Sequence, residues 1–194
     1  MQKGSITLIT GPMFAGKSAW LIKTLQKHFH ANDALLAVRY AKDTRYAKNA
    51  IASHNGTEFL AESAENSNDV KMLIDAHTDM DVFAIDEIQF FDANLVSLLL
   101  ELRELGVIVY AGGLDLDFLA NPWETTTKVS QIADKVLKLH AICTVCHKNN
   151  ATKTQRLING TLAPKDSPRV VFGNTEMYLP RCDLHYQIIN AKSL

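Results

Sequence analysis

Short apolar runs alternate, along the first 140 residues, with stretches in which apolar residues recur at helical spacing. Apolar runs of roughly four to eight residues are typical of strands buried on both faces of a parallel sheet. We expect such strands at residues 5–10, 34–39, 82–85, 107–111 and 136–140. The helical spacing predicts helices at residues 17–30, 68–76 and 95–105. Strands that alternate with helices predict an α/β fold with a doubly wound parallel sheet.

The pattern changes at Ala141, after which apolar residues no longer recur at helical spacing. We therefore expect two domains, an α/β core over residues 1–140 and a smaller C-terminal domain over residues 141–194. A chain of 194 residues has room for one α/β domain with such an appendage, but not for two large domains.

Charge and composition narrow the class of partner. The formal net charge is -1, so the chain lacks the strong positive charge with which proteins hold nucleic acid non-specifically. This balance favours a small-molecule partner and no nucleic acid. No apolar run approaches the length of a membrane span, and the N-terminal stretch does not resemble a signal peptide. We therefore expect a cytoplasmic protein without a membrane partner.

The strongest motif follows the first predicted strand and opens the first predicted helix. It reads Gly11-Pro12-Met13-Phe14-Ala15-Gly16-Lys17-Ser18. These residues match the phosphate-loop pattern G-x-x-x-x-G-K-[ST] at every fixed position. Glycines let backbone N–H groups converge on phosphate oxygens, and the helix that follows turns its positive end toward the same anion. Lys17 would reach the β- and γ-phosphates, and Ser18 would hold a magnesium ion.

Two adjacent acids, Asp86 and Glu87, follow directly on the apolar run 82–85. A carboxylate at the end of a buried strand beside a phosphate loop is a Walker-B arrangement. Asp86 is suited to hold the magnesium ion, and Glu87 to accept a proton from the attacking nucleophile or to orient it. The alternative is that Asp86 only caps the helix predicted at 95–105. Gln89 adds a polar group to the same loop.

A further ligand-binding stretch follows the strand predicted at 107–111. Gly112 and Gly113 would allow a ligand to approach the backbone closely. Phe118 could stack on a base, although a single phenylalanine is more often part of a core. The polar stretch Lys42-Asp43-Thr44-Arg45-Tyr46 and the turn Ser53-His54-Asn55-Gly56 also lie where open α/β sheets bind ligands.

Two C-x-x-[CH] knuckles lie beyond residue 140. Their members are Cys143, Cys146, Cys182 and His185. This spacing is typical of a structural Cys3His zinc site. His147 and His140 are alternatives to His185 as the fourth zinc ligand, although His147 directly follows a ligand and would strain the first knuckle. The other interpretation is that the three cysteines are free thiols. Zinc would close residues 148–181 into a long loop, and loops of that length are usually functional.

Five blocks of this chain resemble the type II (cytosolic-type) thymidine kinases along nearly the whole sequence. The blocks are G-P-M-F-A-G-K-S, K-D-T-R-Y, D-E-I-Q-F-F, G-L-D-L-D-F, and the paired knuckles that enclose T-Q-R-L and E-M-Y. The resemblance implies a RecA-like P-loop core and a small zinc domain whose lasso loop folds over thymidine. It also implies transfer of the γ-phosphoryl group of ATP to the thymidine 5′-hydroxyl with Mg2+, a homotetramer, and feedback inhibition by dTTP.

The same resemblance implies roles for individual residues. Glu87 would be the general base, and Asp86 with Ser18 would serve the metal. Arg45 would lie near the transferred phosphate, and Gln89 close to the bound nucleotide. The positions that match the family's nucleoside pocket are Met13, Phe118, Thr154, Val171 and Tyr178.

The chain departs from the family pattern at two places. Gly173-Asn174 stands where the lasso commonly carries Gly-Gly, and asparagine tolerates a positive φ better than other residues with side chains. His185 stands where some members have cysteine, and zinc accepts either ligand.

Two other functions stay open from the sequence. A P-loop motor or switch whose zinc ribbon binds nucleic acid would need a basic face rich in aromatic residues, which the charge balance does not favour. A kinase of the same build could act on another small alcohol such as deoxyuridine, because a pocket that reads its ligand through backbone groups leaves few side chains to identify it.

Overall fold

The structure is a computed structural model that describes residues 4–43, 49–171 and 177–188. Up to residue 138 it contains eight strands and four α-helices within those ranges. They are β1 (Ser5–Thr10), α1 (Lys17–His30), β2 (Leu35–Tyr40), β3 (Ala50–Ala52), β4 (Glu58–Leu60), β5 (Glu62–Ala64), α2 (Ser67–Ala76), β6 (Val82–Ile85), α3 (Leu95–Glu104), β7 (Ile108–Gly113), α4 (Glu124–Ile132) and β8 (Lys135–Lys138).

Six of these strands form a parallel sheet in the order β5-β2-β6-β7-β1-β8. β7 lies between β1, which leads into the phosphate loop, and β6, which leads into Asp86. The carboxyl ends of the three strands therefore meet at one edge of the sheet. The predicted doubly wound parallel sheet is confirmed.

Side chains of the central strands alternate between two apolar cores, one on each face of the sheet. Phe83 and Ile85 belong to the core that packs against α2, α3 and α4. Val82 and Ala84 belong to the core that packs against α1 and the β3–β4 hairpin. All four residues are fully buried. This burial on both faces explains why β6 reads as a continuous apolar run.

All eight predicted strands and helices are present, and their limits agree with the prediction or differ from it by one or two residues. β7 includes Gly112 and Gly113, which pair with Ile9 and Thr10 of β1, whereas the apolar pattern leaves them after the strand. The β3–β4 hairpin, β5 and α4 are not predicted by the pattern. α4 reads E-T-T-T-K-V-S-Q-I, and its threonines lower helix propensity because their χ1 freedom is lost against the preceding turn. Tertiary burial of three of its residues stabilises the helix.

Beyond residue 140 the described part of the chain contains strands and no α-helix. The strands are β9 (Ala141–Ile142), β10 (Asn149–Ala151), β11 (Lys153–Ile158), β12 (Thr161–Leu162) and β13 (Tyr178–Arg181). They form an antiparallel β9–β10 pair and a three-stranded sheet in the order β12-β11-β13. The expectation of one long loop over residues 148–181 is therefore wrong in part, because four strands lie there. Within residues 148–181, the longest described stretch without helix or strand is 163–171.

The length and hydrophobicity of the helices bear on membrane insertion. No helix in the described ranges is long and apolar enough to cross a lipid bilayer.

Candidate active site

A cavity of about 380 Å³ opens where the carboxyl ends of β1, β6 and β7 meet. Most of the residues that the sequence singles out for nucleotide, metal or nucleoside binding line it. They are Met13, Phe14, Gly16, Lys17, Ser18, Asp86, Glu87, Phe118, Thr154, Val171 and Tyr178. Gly11, Pro12 and Ala15 complete the loop between β1 and α1. The fold thus brings the phosphate loop, the paired acids and the expected nucleoside pocket to one place.

The phosphate loop follows a backbone path that needs its glycines. Gly11 has a φ of 135°, and a Cβ atom there would lie 2.2 Å from the carbonyl oxygen of Leu139. Gly16 has a φ of 83° and immediately precedes α1. Lys17 is buried, and its Nζ donates a 2.7 Å hydrogen bond to the carbonyl oxygen of Pro12. The helix N-terminus, backbone N–H groups and one cation therefore meet at the cavity, as an anion site requires.

Asp86 is held between the phosphate loop and the next residue of its own loop. The Ser18 hydroxyl donates to Asp86 Oδ2 over 2.6 Å, and the backbone N–H of Glu87 donates to Oδ1 over 2.9 Å. A Cβ atom on Gly112 would lie 2.7 Å from Oδ1, so a glycine leaves room for the carboxylate. The helix α3 begins after Asn94, so the alternative that Asp86 caps this helix is wrong.

The electrostatic setting of Asp86 opposes its ionisation. Burial, followed by the negative charge of Glu87, raises the pKa of the Asp86 carboxyl to about 6, although the Ser18 hydrogen bond and the charge of Lys17 act the other way. A cation at this point would offset both effects. The structure thus provides a carboxylate whose ionised form is costly until a positive ligand arrives.

This shift predicts how the stability of the metal-free protein depends on pH. The unfolded chain releases the Asp86 proton near 3.8, whereas the folded chain keeps it up to about 6. Between these two pH values the folded state binds more protons, so its stability falls as the pH rises, and the full cost is present at pH 7. Asp86→Asn cannot ionise and is expected to raise the unfolding free energy at pH 7.5 by on the order of 1–3 kcal/mol. Thermal melts at pH 4 and pH 7.5 in chelator should show this gain at the higher pH only; an equal change at both would contradict it.

Glu87 adopts a backbone conformation that is uncommon for a residue with a side chain. Its φ is 57° and its ψ is 40°, in the left-handed region. Strained residues of this kind persist where the surrounding structure fixes them, which is frequent at functional sites. Gln89 supplies part of that fixation, because its Nε2 donates a 2.5 Å hydrogen bond to Glu87 Oε2.

Gln89 is itself held by the neighbouring strand. Its Oε1 accepts a 3.0 Å hydrogen bond from the backbone N–H of Leu114. A Cβ atom on Gly113 would lie 3.0 Å from the same oxygen. Gln89 is buried, and its amide orients the Glu87 carboxylate, a role that the sequence did not indicate. Direct contact between Gln89 and a nucleotide stays a prediction.

The part of the cavity away from the phosphate loop is mainly apolar and aromatic. The Met13 backbone N–H donates a 3.0 Å hydrogen bond to Thr154 Oγ1, which joins the phosphate loop to β11. Tyr178 on β13 donates through its hydroxyl to the carbonyl oxygen of Val171 over 3.1 Å. Phe118 is buried in the loop between β7 and α4 and also lines the cavity, so it serves both core and pocket.

Two further cavity residues are Arg39, which the sequence analysis did not single out, and His54, whose turn was expected near a ligand. Arg39 at the end of β2 is buried, and its guanidinium donates to the carbonyl oxygen of Asp43. His54 of the β3–β4 turn stacks on Phe14 with ring centres 4.8 Å apart. A charged residue at the end of a buried strand is the one signal that could have indicated Arg39. The predicted Arg45 and the Gly173-Asn174 pair lie outside the described residues.

The two knuckles come together beside the phosphate loop. The potential ligand atoms of Cys143, Cys146, Cys182 and His185 all lie within 4.8 Å of one another. The sequence left three histidines as candidates for the fourth zinc ligand. Among the described residues, His185 is the histidine that lies with the three cysteines, and its Nδ1 is 3.1 Å from the Cys182 sulfur. The interpretation as three separate free thiols is therefore not favoured.

The donor set suits zinc. Burial acts to raise the pKa of Cys143, but backbone hydrogen bonds from residues 146, 182 and 145 together with the His185 ring lower it to about 5. The thiolate is the form that binds metal. Three sulfurs and one imidazole match the tetrahedral coordination of structural zinc sites. The predicted Cys3His cluster is present and fits a zinc ion.

Comparison with known proteins adds independent evidence about the family. The sequence model of the family described as Thymidine kinase matches residues 4–186. The chain belongs to the thymidine kinase family. A thymidine kinase of Pyrobaculum aerophilum is 42% identical over 184 residues, which cover 94% of this chain and 98% of that protein. A thymidine kinase of Coprothermobacter proteolyticus is 42% identical over 187 residues, which cover 96% of this chain and 92% of that protein. The resemblance seen in the five sequence blocks is confirmed, and as a member of this family the protein is a kinase.

Among solved structures, the fold of this thymidine kinase family member is similar to that of the flagellar accessory protein FlaH from Methanocaldococcus jannaschii. The TM-score is 0.50 at 12% identity, and the match covers 84% of this chain and 76% of that one. At such low identity the likeness concerns the fold alone. It agrees with the predicted α/β P-loop core.

Proposed function

We propose that this protein transfers the γ-phosphoryl group of ATP to the 5′-hydroxyl of thymidine, giving dTMP and ADP. The observation that carries the proposal is that the phosphate loop, the acids Asp86 and Glu87 and an aromatic pocket line one cavity. Relatives that share 42% of the sequence over almost their whole length are named thymidine kinases, which supports the same substrate here.

ATP would bind through its phosphates. The first residues of α1 and the glycine-containing loop offer N–H groups and a helix N-terminus, and Lys17 offers a cation that is now held by the Pro12 carbonyl. Ser18 and Asp86 would hold Mg2+, since their oxygen atoms face each other at the cavity in a 2.6 Å hydrogen bond and oxygen is the ligand that Mg2+ prefers. When bound, the ion would neutralise negative charge on the phosphoryl group. The raised pKa of Asp86 implies that Mg2+ competes with a proton below about pH 6.

Glu87 would act as the general base. Its carboxylate accepts the proton of the 5′-hydroxyl as that oxygen forms its bond to the γ-phosphorus and the bond to the ADP oxygen breaks. Gln89 fixes the orientation of the carboxylate through the 2.5 Å hydrogen bond. Glu87, whose backbone is in the left-handed region, is among the residues that line the cavity.

The nucleoside would occupy the aromatic end of the cavity. Phe118 and Tyr178 offer ring faces for a base, and Met13, Thr154 and Val171 complete the wall. Backbone carbonyl and N–H groups of residues 169–171, which line the cavity, would read the base edge. Exclusion of water from this end would protect ATP against wasteful hydrolysis.

The remaining parts of the hypothesis concern the C-terminal region and the whole molecule. We propose that residues 141–194 form a zinc domain beside a nucleotide-binding core of residues 1–140, with zinc held by the two knuckles. A homotetramer, inhibition by dTTP, a cytoplasmic location and an Arg45 contact with the transferred phosphate stay predictions that rest on the family resemblance.

A nucleoside panel tests the proposal. Purified protein with ATP and Mg2+ is assayed for phosphorylation of thymidine, deoxyuridine, deoxycytidine, deoxyadenosine and deoxyguanosine. Thymidine is expected to have the highest kcat/KM. Activity confined to a purine nucleoside, or ATP hydrolysis that only DNA stimulates, would instead support another kinase or the nucleic-acid-dependent P-loop protein.

A further inference from the structure

Arg169, Val170 and Val171 line the cavity and belong to a described stretch, residues 163–171, that has neither helix nor strand. The stretch follows β12, and the Val171 carbonyl oxygen accepts the hydrogen bond from Tyr178. A segment without regular structure needs contacts with other elements to hold one position. Arg156 on β11 supplies one, since its Nη1 donates a 2.6 Å hydrogen bond to the carbonyl oxygen of Pro168.

Arg169 supplies a second and more extensive set of contacts. Its Nε donates to Asp117 Oδ2 over 2.9 Å, and its Nη2 donates to the carbonyl oxygen of Pro122 over 2.8 Å. Its guanidinium carbon lies 3.8 Å from the ring centre of Trp123. Three different groups of the β7–α4 connection therefore hold one side chain, and we call this set the Arg169 clamp.

Exposed ion pairs usually contribute little to stability, and the Arg169 side chain is 44% exposed. The clamp differs because the Asp117 side chain is only 3% exposed. Asp117 is also fixed in place, since its Oδ1 accepts backbone hydrogen bonds from Leu119 and Asn121. The flat guanidinium can donate twice and stack at once, which an ammonium group cannot do in the same geometry.

The clamp joins the two sides of the proposed nucleoside pocket. Asp117 directly precedes Phe118, and Arg169 stands two residues before Val171. Asp117, Trp123 and Arg169 themselves line the cavity. A fixed distance between Asp117 and Arg169 therefore restrains the gap between the Phe118 ring and the Val171 backbone. A restraint made before the nucleoside arrives lowers the ordering cost of binding.

We propose that Arg169 is a positioning residue for the nucleoside, which holds the Val171 wall at a set distance from Phe118 through Asp117 and Trp123. This inference rests on the proposed function, because thymidine is the ligand whose binding it affects. Arg169 takes no part in proton or phosphoryl transfer and acts at the end of the cavity away from the phosphate loop.

The first test is the steady-state kinetics of Arg169→Met, which keeps the aliphatic length and removes the guanidinium. KM for thymidine is expected to rise about tenfold, the scale of one charge-assisted hydrogen bond, with kcat and the KM for ATP within twofold of wild type. Arg169→Lys should recover only part of this loss. Asp166→Asn changes one charge at an exposed side chain of the same segment, leaves the clamp in place and should behave as wild type.

A double variant tests whether the contacts of Arg169 act as one unit or independently. Asp117→Asn keeps an acceptor for the two backbone N–H groups but removes the charge that faces Arg169. The Arg169→Met/Asp117→Asn double variant should raise the thymidine KM no further than the worse single variant. Additive effects would show that the two residues act separately and would overturn the proposal.

Trp123 gives a readout that needs no activity. The chain has two tryptophans, so Trp20→Phe leaves Trp123 as the single tryptophan fluorophore. In this background Arg169→Met should change the Trp123 emission without thymidine, and Asp166→Asn should not. An emission change with an unchanged thymidine KM would show a contact that does not position the nucleoside. A raised KM without an emission change would place the effect of Arg169 elsewhere, and either result overturns the proposal.

The wild-type assay separates failure of this inference from failure of the proposed function. Wild-type protein that phosphorylates thymidine, beside an Arg169→Met variant with normal kinetics, would refute the clamp alone. Wild-type protein without activity on thymidine would refute the proposed function and the clamp with it.

Discussion

Glu87→Gln is expected to lower kcat for thymidine phosphorylation by about 10²-fold or more, while KM values for ATP and thymidine change little. The substitution keeps the size of the side chain and removes its ability to accept a proton, and loss of a general base typically has an effect of this size. In the proposed function the phosphates and Mg2+ would have Lys17, Ser18 and Asp86 as partners, so binding should not depend on Glu87. Steady-state kinetics at saturating substrates measure the effect on kcat directly.

Two controls separate the role of Glu87 from that of its neighbour. Asp86→Asn should also lose activity, but high Mg2+ should restore part of it, because that variant weakens the metal site; Glu87→Gln should show no such rescue. Glu104→Gln removes an exposed carboxylate at the end of α3 and should leave kcat unchanged. A Glu87→Gln enzyme with near-normal kcat across pH would assign the base elsewhere, with Asp43 and Asp115 as the next acids to examine.

Cys182→Ala is expected to lose most of the bound zinc, destabilise the protein and raise the KM for ATP several-fold. Wild-type protein should contain about one zinc per chain. The cluster does more than close the segment between the knuckles, because Phe14 and Ala15 of the phosphate loop pack against Ala141, Cys143 and Cys182. Loss of the metal removes folding free energy from residues that support the loop.

Metal analysis, thermal melts and ATP kinetics of the same preparation check this expectation together. Asp183→Asn serves as the matched control, since Asp183 lies between Cys182 and His185 and its side chain is 73% exposed. The control should retain zinc and activity. Full zinc content in Cys182→Ala would show that the ligand set is wrong, and zinc loss without any change in the ATP KM would show that the cluster does not support the phosphate loop.

The sequence predicts those parts of the site whose chemistry is carried by adjacent residues. The phosphate loop and the pair Asp86-Glu87 are contiguous motifs at strand ends, and the burial of the strands follows from their apolar runs. The parallel topology then forces the strand ends together. For this reason the contact between Ser18 and Asp86 could be expected from the sequence alone.

Other features depend on tertiary contacts between distant residues and leave no local pattern. Gln89 orients Glu87 only because Leu114, on another strand connection, fixes its amide. Arg169 and Asp117 are 52 positions apart, and neither belongs to a recognisable pair in the sequence. The sequence also left three histidines for the fourth zinc position, and the pairing of β11 with β13 explains the choice of His185, since it brings the second knuckle toward the first.

Phosphorus NMR of one reaction mixture tests the central claim most directly. Protein, ATP, Mg2+ and thymidine are incubated together, and the products are followed by their 31P resonances. The account predicts that dTMP and ADP appear in a one-to-one ratio, with the new phosphate ester on the 5′-oxygen and little inorganic phosphate. Consumption of ATP that yields inorganic phosphate at the same rate with or without thymidine, and no dTMP, would contradict it.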